Sequence, residues 1–422
     1  MNRIRQKNLE DISKFTVIPD GWKEVTIQEV CNIGRGRVIS QEEIKSNLGI
    51  YPVYSSQTRN NGRMGSIDTY DFDGEFITWT TDGENAGTVF HRLGKFNCTN
   101  VCGTLTAKDD EVDHSFLSYH LGRIAKSYVS YIGNPKLMNG VMGDIGLILP
   151  PLDEQQKIAK ILRTVDNLIE KTQTLIEKYT AIKQGMMADL FTRGIDMTTG
   201  DTPNSKGGKL RPSVEDAAEL YKQTELGWVP KEWEVLSFGE LADYKNGNSF
   251  SADSWKEEGY PIIRIQNLNG SNEYNYYEGP VKKIWHILPG DLLFAWSGQK
   301  GVSFGARVWN GPEGVLNQHI FKVYENSKLL SRQFLYYLFK LNVGRIEDNA
   351  HGFKDSFVHV TRSELTDVTV MVPPKEEQAV IEQRVIALDR KLEQELGSLE
   401  KYKKLKKGLM QDLLTGRVKV YV

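Results

Sequence analysis

Two stretches of this chain carry apolar residues at alternating steps of four and three. The first runs Ile158, Leu162, Val165, Ile169, Thr172, Ile176, Tyr179, Lys183, Met186, Leu190, and the second Ile381, Val385, Leu388, Leu392, Glu395, Leu399, Tyr402, Lys406, Leu409, Leu413. This heptad spacing keeps one stripe of a helix facing a partner helix and predicts two coiled-coil helices. Both stripes are broken by polar residues at the same two places, Thr172/Glu395 and Lys183/Lys406, which points to one specific pairing and register. Each stretch opens on a proline pair, PPLDEQQKI from Pro150 and PPKEEQAVI from Pro373. Proline is tolerated in a first helical turn, and the acidic residues after it complement the positive end of the helix dipole. A helix from Glu154 to Arg193 is about 60 Å long and needs a second long helix to cover its stripe.

The two stretches are copies. At an offset of 223 residues Glu154, Gln155, Asp166, Glu170, Tyr179, Lys183, Asp189 and Leu190 recur unchanged, among others. Upstream, Pro19, Trp22, Glu29, Gly36 and Ser40 recur 211 residues later as Pro230, Trp233, Glu240, Gly247 and Ser251. The chain is a tandem repeat whose frames match and whose middles differ. One divergent domain precedes the first rod and the other follows it, so a second rod that pairs with the first must run back along it. An antiparallel coiled coil with an approximate two-fold axis is expected. The expected boundaries are domain one at 1–149, a first helix at 150–193, a polar mobile connector at 194–224, domain two at 225–372, a second helix at 373–415, and a tail at 416–422.

Within the middles, GEFITWTT, GTVFHRLG and IGLILPP in copy one, and YPIIRIQNL, GDLLFAW and DVTVMVPP in copy two, read as strands between turn residues. HSFLSYHLGRIAKSYV and SRQFLYYLFKLNVGRI read as amphipathic helices. The expected class is α+β: two mixed α/β domains joined by two long antiparallel coiled-coil helices, with pseudo-two-fold symmetry.

Composition narrows the chemistry. At 422 residues with 39% hydrophobic and 26% charged residues, the chain reads as a soluble multidomain protein. No apolar run spans a membrane and the first twenty residues lack a secretory core, so a cytoplasmic protein without membrane association is expected. Cys31, Cys98 and Cys102 read as buried reduced thiols, because the C-x3-C pair lacks a second ligand pair for zinc. No phosphate loop, dinucleotide fingerprint, zinc-protease motif or nucleophile elbow is present. No catalytic residue and no metal site is expected; His319 and His351 read as polar loop histidines, and the carboxylates from Asp68 as a turn beside a strand.

Net charge is −2, and neither domain is basic: residues 1–150 hold 16 Lys/Arg against 18 Asp/Glu, and residues 225–374 hold 15 against 18. Phosphate neutralisation supplies much of the affinity for DNA, so a DNA-binding role requires locally sorted charge or help from a partner. Side chains that match base edges are nevertheless concentrated in loops, since Arg forks onto guanine and Asn or Gln onto adenine. Copy one offers Arg35 and Arg37, then Ser55, Ser56, Gln57, Thr58, Arg59 and Asn60. Copy two offers Arg264, Gln266, Asn267 and Asn269, then Ser297, Gln299 and Lys300, then His351 and Lys354. Trp79 and Trp296 read as core, and KYKKLKK at Lys401–Lys407 as a patch for phosphate, a partner or the helix dipole.

With its two tryptophan-centred starts (IPDGWKEVTIQEV, YKQTELGWVPKEWEV), its paired PP-x-x-EQ-xx-I helices and the endings KQGMMADLFTRG and KKGLMQDLLTGR, nearly the whole chain resembles the specificity subunit of type I restriction-modification systems. The middle of copy one resembles a widespread type of target recognition domain of that family; copy two resembles another. The resemblance implies a non-catalytic subunit whose recognition domains each read one half of a bipartite, asymmetric site in double-stranded DNA. It implies long helices that dock two modification subunits, which methylate adenine with S-adenosylmethionine, and restriction subunits that use ATP and magnesium for translocation and cleavage. No cofactor is then bound by this chain itself. Half-sites about 34 Å apart fit within the rod. The other reading of the same architecture is a tandem-domain adaptor for protein or glycan ligands.

Overall fold

In the computed structural model, residues 18–199, 208–349 and 357–420 are described. The chain divides into two units, one comprising residues 1–176 with 394–422, the other residues 177–393. Both are mixed α/β, and each contains a segment of each long helix, Leu152–Thr192 and Lys375–Leu413.

The first unit holds a four-stranded antiparallel sheet in the order Cys31–Arg35, Cys102–Ala107, Glu75–Thr80, Val89–Leu93. A smaller sheet contains Arg63–Ile67, Leu48–Tyr54 and Asn97–Cys98, and Lys23–Thr26 pairs with Gly146–Leu149 next to the proline pair. Side chains alternate along Glu75–Thr80: Ile77 and Trp79 enter the main core with Leu105, Phe116 and Leu121, and Ile158, Leu162, Leu413 and Leu414 of the long helices close it.

The second unit repeats this order with Ala242–Asn246, Ile320–Glu325, Leu292–Ala295 and Gly305–Val308. Its smaller sheet runs Asn275–Tyr277, Tyr260–Ile263, Gly314–Leu316, His286–Ile287, and Glu234–Ser237 pairs with Thr369–Val372. Helix Arg332–Asp348 packs on the first of these sheets, the one containing Ile320–Glu325 and Gly305–Val308, through Phe334, Leu335 and Phe339, against a core that includes Leu190, Ile381 and Val385. The strand reading of YPIIRIQNL holds only for its first half, because Ile265–Leu268 forms a helical turn.

Residues that recur in the sequence hold equivalent joints. Glu29 and Glu240 each close a capping box, on Thr26 and Ser237. Glu154 accepts a hydrogen bond from Trp22 Nε1 at 3.2 Å, and Glu377 from Trp233 Nε1 at 3.0 Å. Gln155 donates to the Pro150 carbonyl and Gln378 to the Pro373 carbonyl, both at 2.8 Å. A Cβ on Gly36 would lie 2.1 Å from the Cys98 carbonyl oxygen, and one on Gly247 would lie 2.0 Å from that of Asn317. At both places the strand end crosses the neighbouring backbone too closely for any other residue.

The seam positions are the shielded ones. Ile158, Leu162, Val165, Leu190, Ile381, Val385, Leu388, Leu399 and Leu413 are buried, while Ile169, Ile176, Tyr179, Met186, Leu392, Tyr402 and Leu409 are half-buried. Direction is visible inside each unit. In the first, Ile158 and Leu162 share a core with Leu413, and Asp166 pairs with Lys406 at 2.6 Å. In the second, Leu190 shares a core with Ile381 and Val385, and Lys183 pairs with Asp389. Rising numbers on one helix meet falling numbers on the other, so the segments are antiparallel.

The shared polar break is therefore a pair of matched joints. Each aspartate also accepts a tyrosine hydroxyl, from Tyr119 at 2.7 Å and Tyr337 at 3.2 Å. Burial, reinforced by these carboxylates, pushes both phenols well above their usual range. Lys406, expected as a polar break in the stripe and also part of the basic run Lys401–Lys407, faces Asp166 across the seam. Lys406→Glu is expected to destabilise the first unit by about 1 kcal/mol, because the pair is partly exposed. Asp166→Lys in the same chain should restore most of that loss in a urea titration.

The stretch 194–224, expected to be a mobile connector, is built into the second unit wherever it is described. Ile195–Asp196 pairs with Lys209–Leu210, and Tyr221–Thr224 forms a hairpin with Gly227–Pro230. Ile195 is buried in the core, and Arg211 forms a buried ion pair with Glu377. Without periodicity, one apolar residue and one arginine were too little signal to reveal this.

Candidate nucleic-acid interface

Strand Cys31–Arg35 ends at Gly36, where the chain crosses its neighbour and turns out of the sheet. Arg35 donates through Nε to the Asn100 carbonyl at 2.5 Å and through Nη2 to Asp82 at 3.3 Å. Arg37 pairs with Glu43 at 2.7 Å and Asp71 at 3.0 Å. The hydrogen bond to Glu43, then the nearby carboxylate of Asp71, fixes the guanidinium charge of Arg37 more firmly. Both arginines stand at the surface but are engaged by carboxylates. The local positive charge that their sequence suggested is largely neutralised.

The loop after Leu48–Tyr54 is closed by Ser55 N–H donating to the Gly62 carbonyl at 3.0 Å. Thr99 donates to Ser55 Oγ at 3.1 Å, Asn85 to the Ser56 carbonyl at 3.2 Å, and Gln57 to the Arg63 carbonyl. Ser55, Ser56 and Gln57 thus shape the loop. Thr58, Arg59 and Asn60 stand exposed at its tip. Asn60 and Asn61 adopt left-handed conformations with φ of 50° and 55°, which asparagine tolerates better than most residues.

In the second unit the corresponding loop starts at Arg264, whose guanidinium lies 4.1 Å from the Trp255 ring centroid. Gln266 and Asn269 are exposed. Asn267 is not available to a base: it is buried, accepts from Arg264 N–H at 2.9 Å, and donates to the Ser271 and Glu273 carbonyls at 3.0 and 2.9 Å. Ser297 is likewise corrected, since it is buried in a short strand, Ser297–Gln299, paired to Phe357–His359. Gln299 is exposed, and Lys300 reaches Glu347 at 3.4 Å. His351 and Lys354 lie outside the described residues.

Trp79 is core, donating to the Leu137 carbonyl at 2.9 Å. Burial pushes the thiols of Cys31 and Cys102 up to about 12 and about 11, so these are inert core thiols. Among the described residues no group of His, Cys, Asp or Glu could hold a metal ion, and no helix is long and apolar enough to cross a membrane.

What the fold and its loops define is a tandem recognition protein: one frame built twice, with different polar loops on each copy. Comparison with known proteins carries this further. The model of the type I restriction modification DNA specificity domain matches residues 19–180 and again 230–401, and the chain belongs to that family. It is a specificity subunit with two recognition domains, a component that confers sequence choice and not catalysis. A putative type I specificity subunit N-terminus from Mycoplasma pneumoniae is 50% identical over 143 residues, covering 34% of this chain and 76% of the relative. The MjaVIII specificity subunit of Methanocaldococcus jannaschii is 26% identical over 454 residues, covering 100% of this chain and 98% of its own length. The crystal structure of a type I system S subunit from M. genitalium superposes with a TM-score of 0.62 at 16% identity, covering 93% of this chain and 96% of that one, which shows the shared fold. The adaptor reading finds no support in these likenesses.

Proposed function

We propose that the divergent parts of the chain, residues 1–149 and 225–372, each read one half of a bipartite, asymmetric site in double-stranded DNA. The helices at 150–193 and 373–415 act as spacer and as docking platform for two modification subunits. The observation that carries this reading is the pairing of matched frames with unmatched loops: Thr58, Arg59 and Asn60 at one tip, Gln266 and Asn269 at the other. Exposed donors of this type match base edges in the major groove. The near-neutral charge, with Arg35 and Arg37 already paired, assigns much of the phosphate contact to the modification subunits. Those subunits supply adenine methylation from S-adenosylmethionine, and restriction subunits supply ATP- and magnesium-dependent cleavage, within the cytoplasm. The test is to map methylated adenines in DNA from cells carrying this chain with its modification subunits. Two short unlike motifs separated by an unread spacer are expected; a single continuous motif contradicts the reading.

A further inference from the structure

Arg92 sits in the middle of strand Val89–Leu93, where nothing in the sequence marks it, and its side chain turns inward. It is 3% exposed. Its guanidinium lies 3.5 Å from the Tyr54 ring centroid and 4.4 Å from that of Phe90, and Nε donates to Thr78 Oγ1 at 3.2 Å. Nη1 is buried without a hydrogen-bond partner, and among the described residues no carboxylate pairs with this side chain. A buried guanidinium without a counter-ion is costly even on two aromatic faces, and an orphaned donor of this kind calls for a specific explanation.

Its position supplies one. Arg92 lies directly under the recognition loop: a Cβ on Gly62 would stand 3.1 Å from Nη2 and 3.2 Å from the Gln57 carbonyl oxygen. The second unit also has an arginine on an aromatic face beside the corresponding loop, less deeply buried and from a different position in the chain. Arg264 follows strand Tyr260–Ile263, the counterpart of Leu48–Tyr54 and not of the strand that carries Arg92, stacks on Trp255, has Nη2 buried without a partner, and has no carboxylate partner among the described residues. Two copies whose loops differ thus each hold an arginine clamped on an aromatic face at the root of the same loop. Stacking fixes the plane of a guanidinium, and its buried edge would meet an acceptor only once the loop above it moves aside.

We propose that Arg92, and Arg264 in the second unit, are DNA-contacting residues whose unpaired guanidinium edges take a hydrogen-bond acceptor of the DNA as the loop engages the duplex. A guanine edge is the favoured acceptor, because its O6 and N7 match the fork; a phosphate oxygen shares the chemistry. This rests on the half-site reading above.

The test uses Arg92→Met and Arg264→Met in the complete complex with its modification subunits. Methionine fills a similar apolar volume, so the variant chain should fold and melt at least as high as the parent. Arg92→Met is expected to weaken binding to the methylated motif by about ten- to hundredfold and to relax a position in the half that changes when residues 1–149 are exchanged. The other half stays as it was. Arg264→Met should do the converse, and Arg92→Lys, which keeps the charge but not the fork, should not restore the lost position. A loss confined to particular sequences assigns the acceptor to a base. A uniform loss, with the salt dependence of binding reduced by about one ion, assigns it to phosphate. An unchanged motif and affinity in a folded Arg92→Met complex overturns the proposal, as does a lowered melting temperature with an unchanged motif, which marks a purely structural arginine. Should Arg92→Met fail to fold, Arg264→Met decides by the same criteria. If exchanging residues 1–149 changes neither half, the half-site reading itself fails; if it changes one half and both methionine variants leave the motif intact, only this inference fails.

Discussion

Glu377→Ala is expected to destabilise the second unit by about 3 kcal/mol, because it leaves Arg211 inside the protein with only the exposed Glu232, 3.6 Å away, as a counter-ion. Glu377 is 1% exposed and receives Arg211 Nη2 at 3.0 Å, Trp233 Nε1 at 3.0 Å and the Ile195 N–H at 2.6 Å. Removing the carboxylate leaves Arg211, itself 6% exposed, without its buried counter-ion and orphans two neutral donors as well. Its repeat partner Glu154 provides the control. That carboxylate receives Trp22 and has no arginine partner among the described residues, so Glu154→Ala should cost about 1 kcal/mol. Pairing Glu377→Gln with Arg211→Met keeps an acceptor for Trp233 while removing both charges, and should be milder than Glu377→Ala. Each is read by urea unfolding, following the transition of the affected unit, since a chain of two units need not melt in one step.

Acidification should act on the first unit through His120. This side chain is 1% exposed, with Nδ1 unpartnered, and burial, aided by the charge of Arg123, lowers its pKa from 6.5 to about 3. Between pH 3 and 6.5 the unfolded chain binds a proton that the folded chain refuses, so stability falls as the pH falls through that window. It is fully present above 6.5. From pH 7 to pH 5 the loss is about 2 kcal/mol. The check compares the melting of the parent and of His120→Leu at both values: the parent should lose that much more than the variant. Equal losses would show that His120 is protonated in the folded state.

The architecture was readable because it is written twice. Recurrence of Trp22 and Trp233, Gly36 and Gly247, or Gln155 and Gln378 requires only counting, and a heptad stripe is a local property of the chain. What counting leaves out is which residue meets which. Glu154 and Glu377 read as dipole complements, yet each is also the acceptor for its tryptophan; Lys183 and Lys406 read as breaks, yet each meets an aspartate that recurs at the same offset. Those partners lie far apart in sequence, where periodicity carries no signal. The interface was legible as loops and not as contacts. Asn267 and Ser297 have the right chemistry for a base edge, but their backbone surroundings bury them. Arg92 has the opposite history: a strand position with no loop signal, given its place by the face of the sheet onto which it points.

One chain supplies both helices of each antiparallel pair. A short thiol-specific cross-linker applied to Asp166→Cys/Lys406→Cys, and separately to Asp389→Cys/Lys183→Cys, tests this directly, since Cys31, Cys98 and Cys102 are buried. Both pairs are predicted to close within single chains, giving a monomer whose intact mass has gained one linker and whose two introduced thiols no longer react. Cross-links that join two chains, or none at either pair, would contradict it.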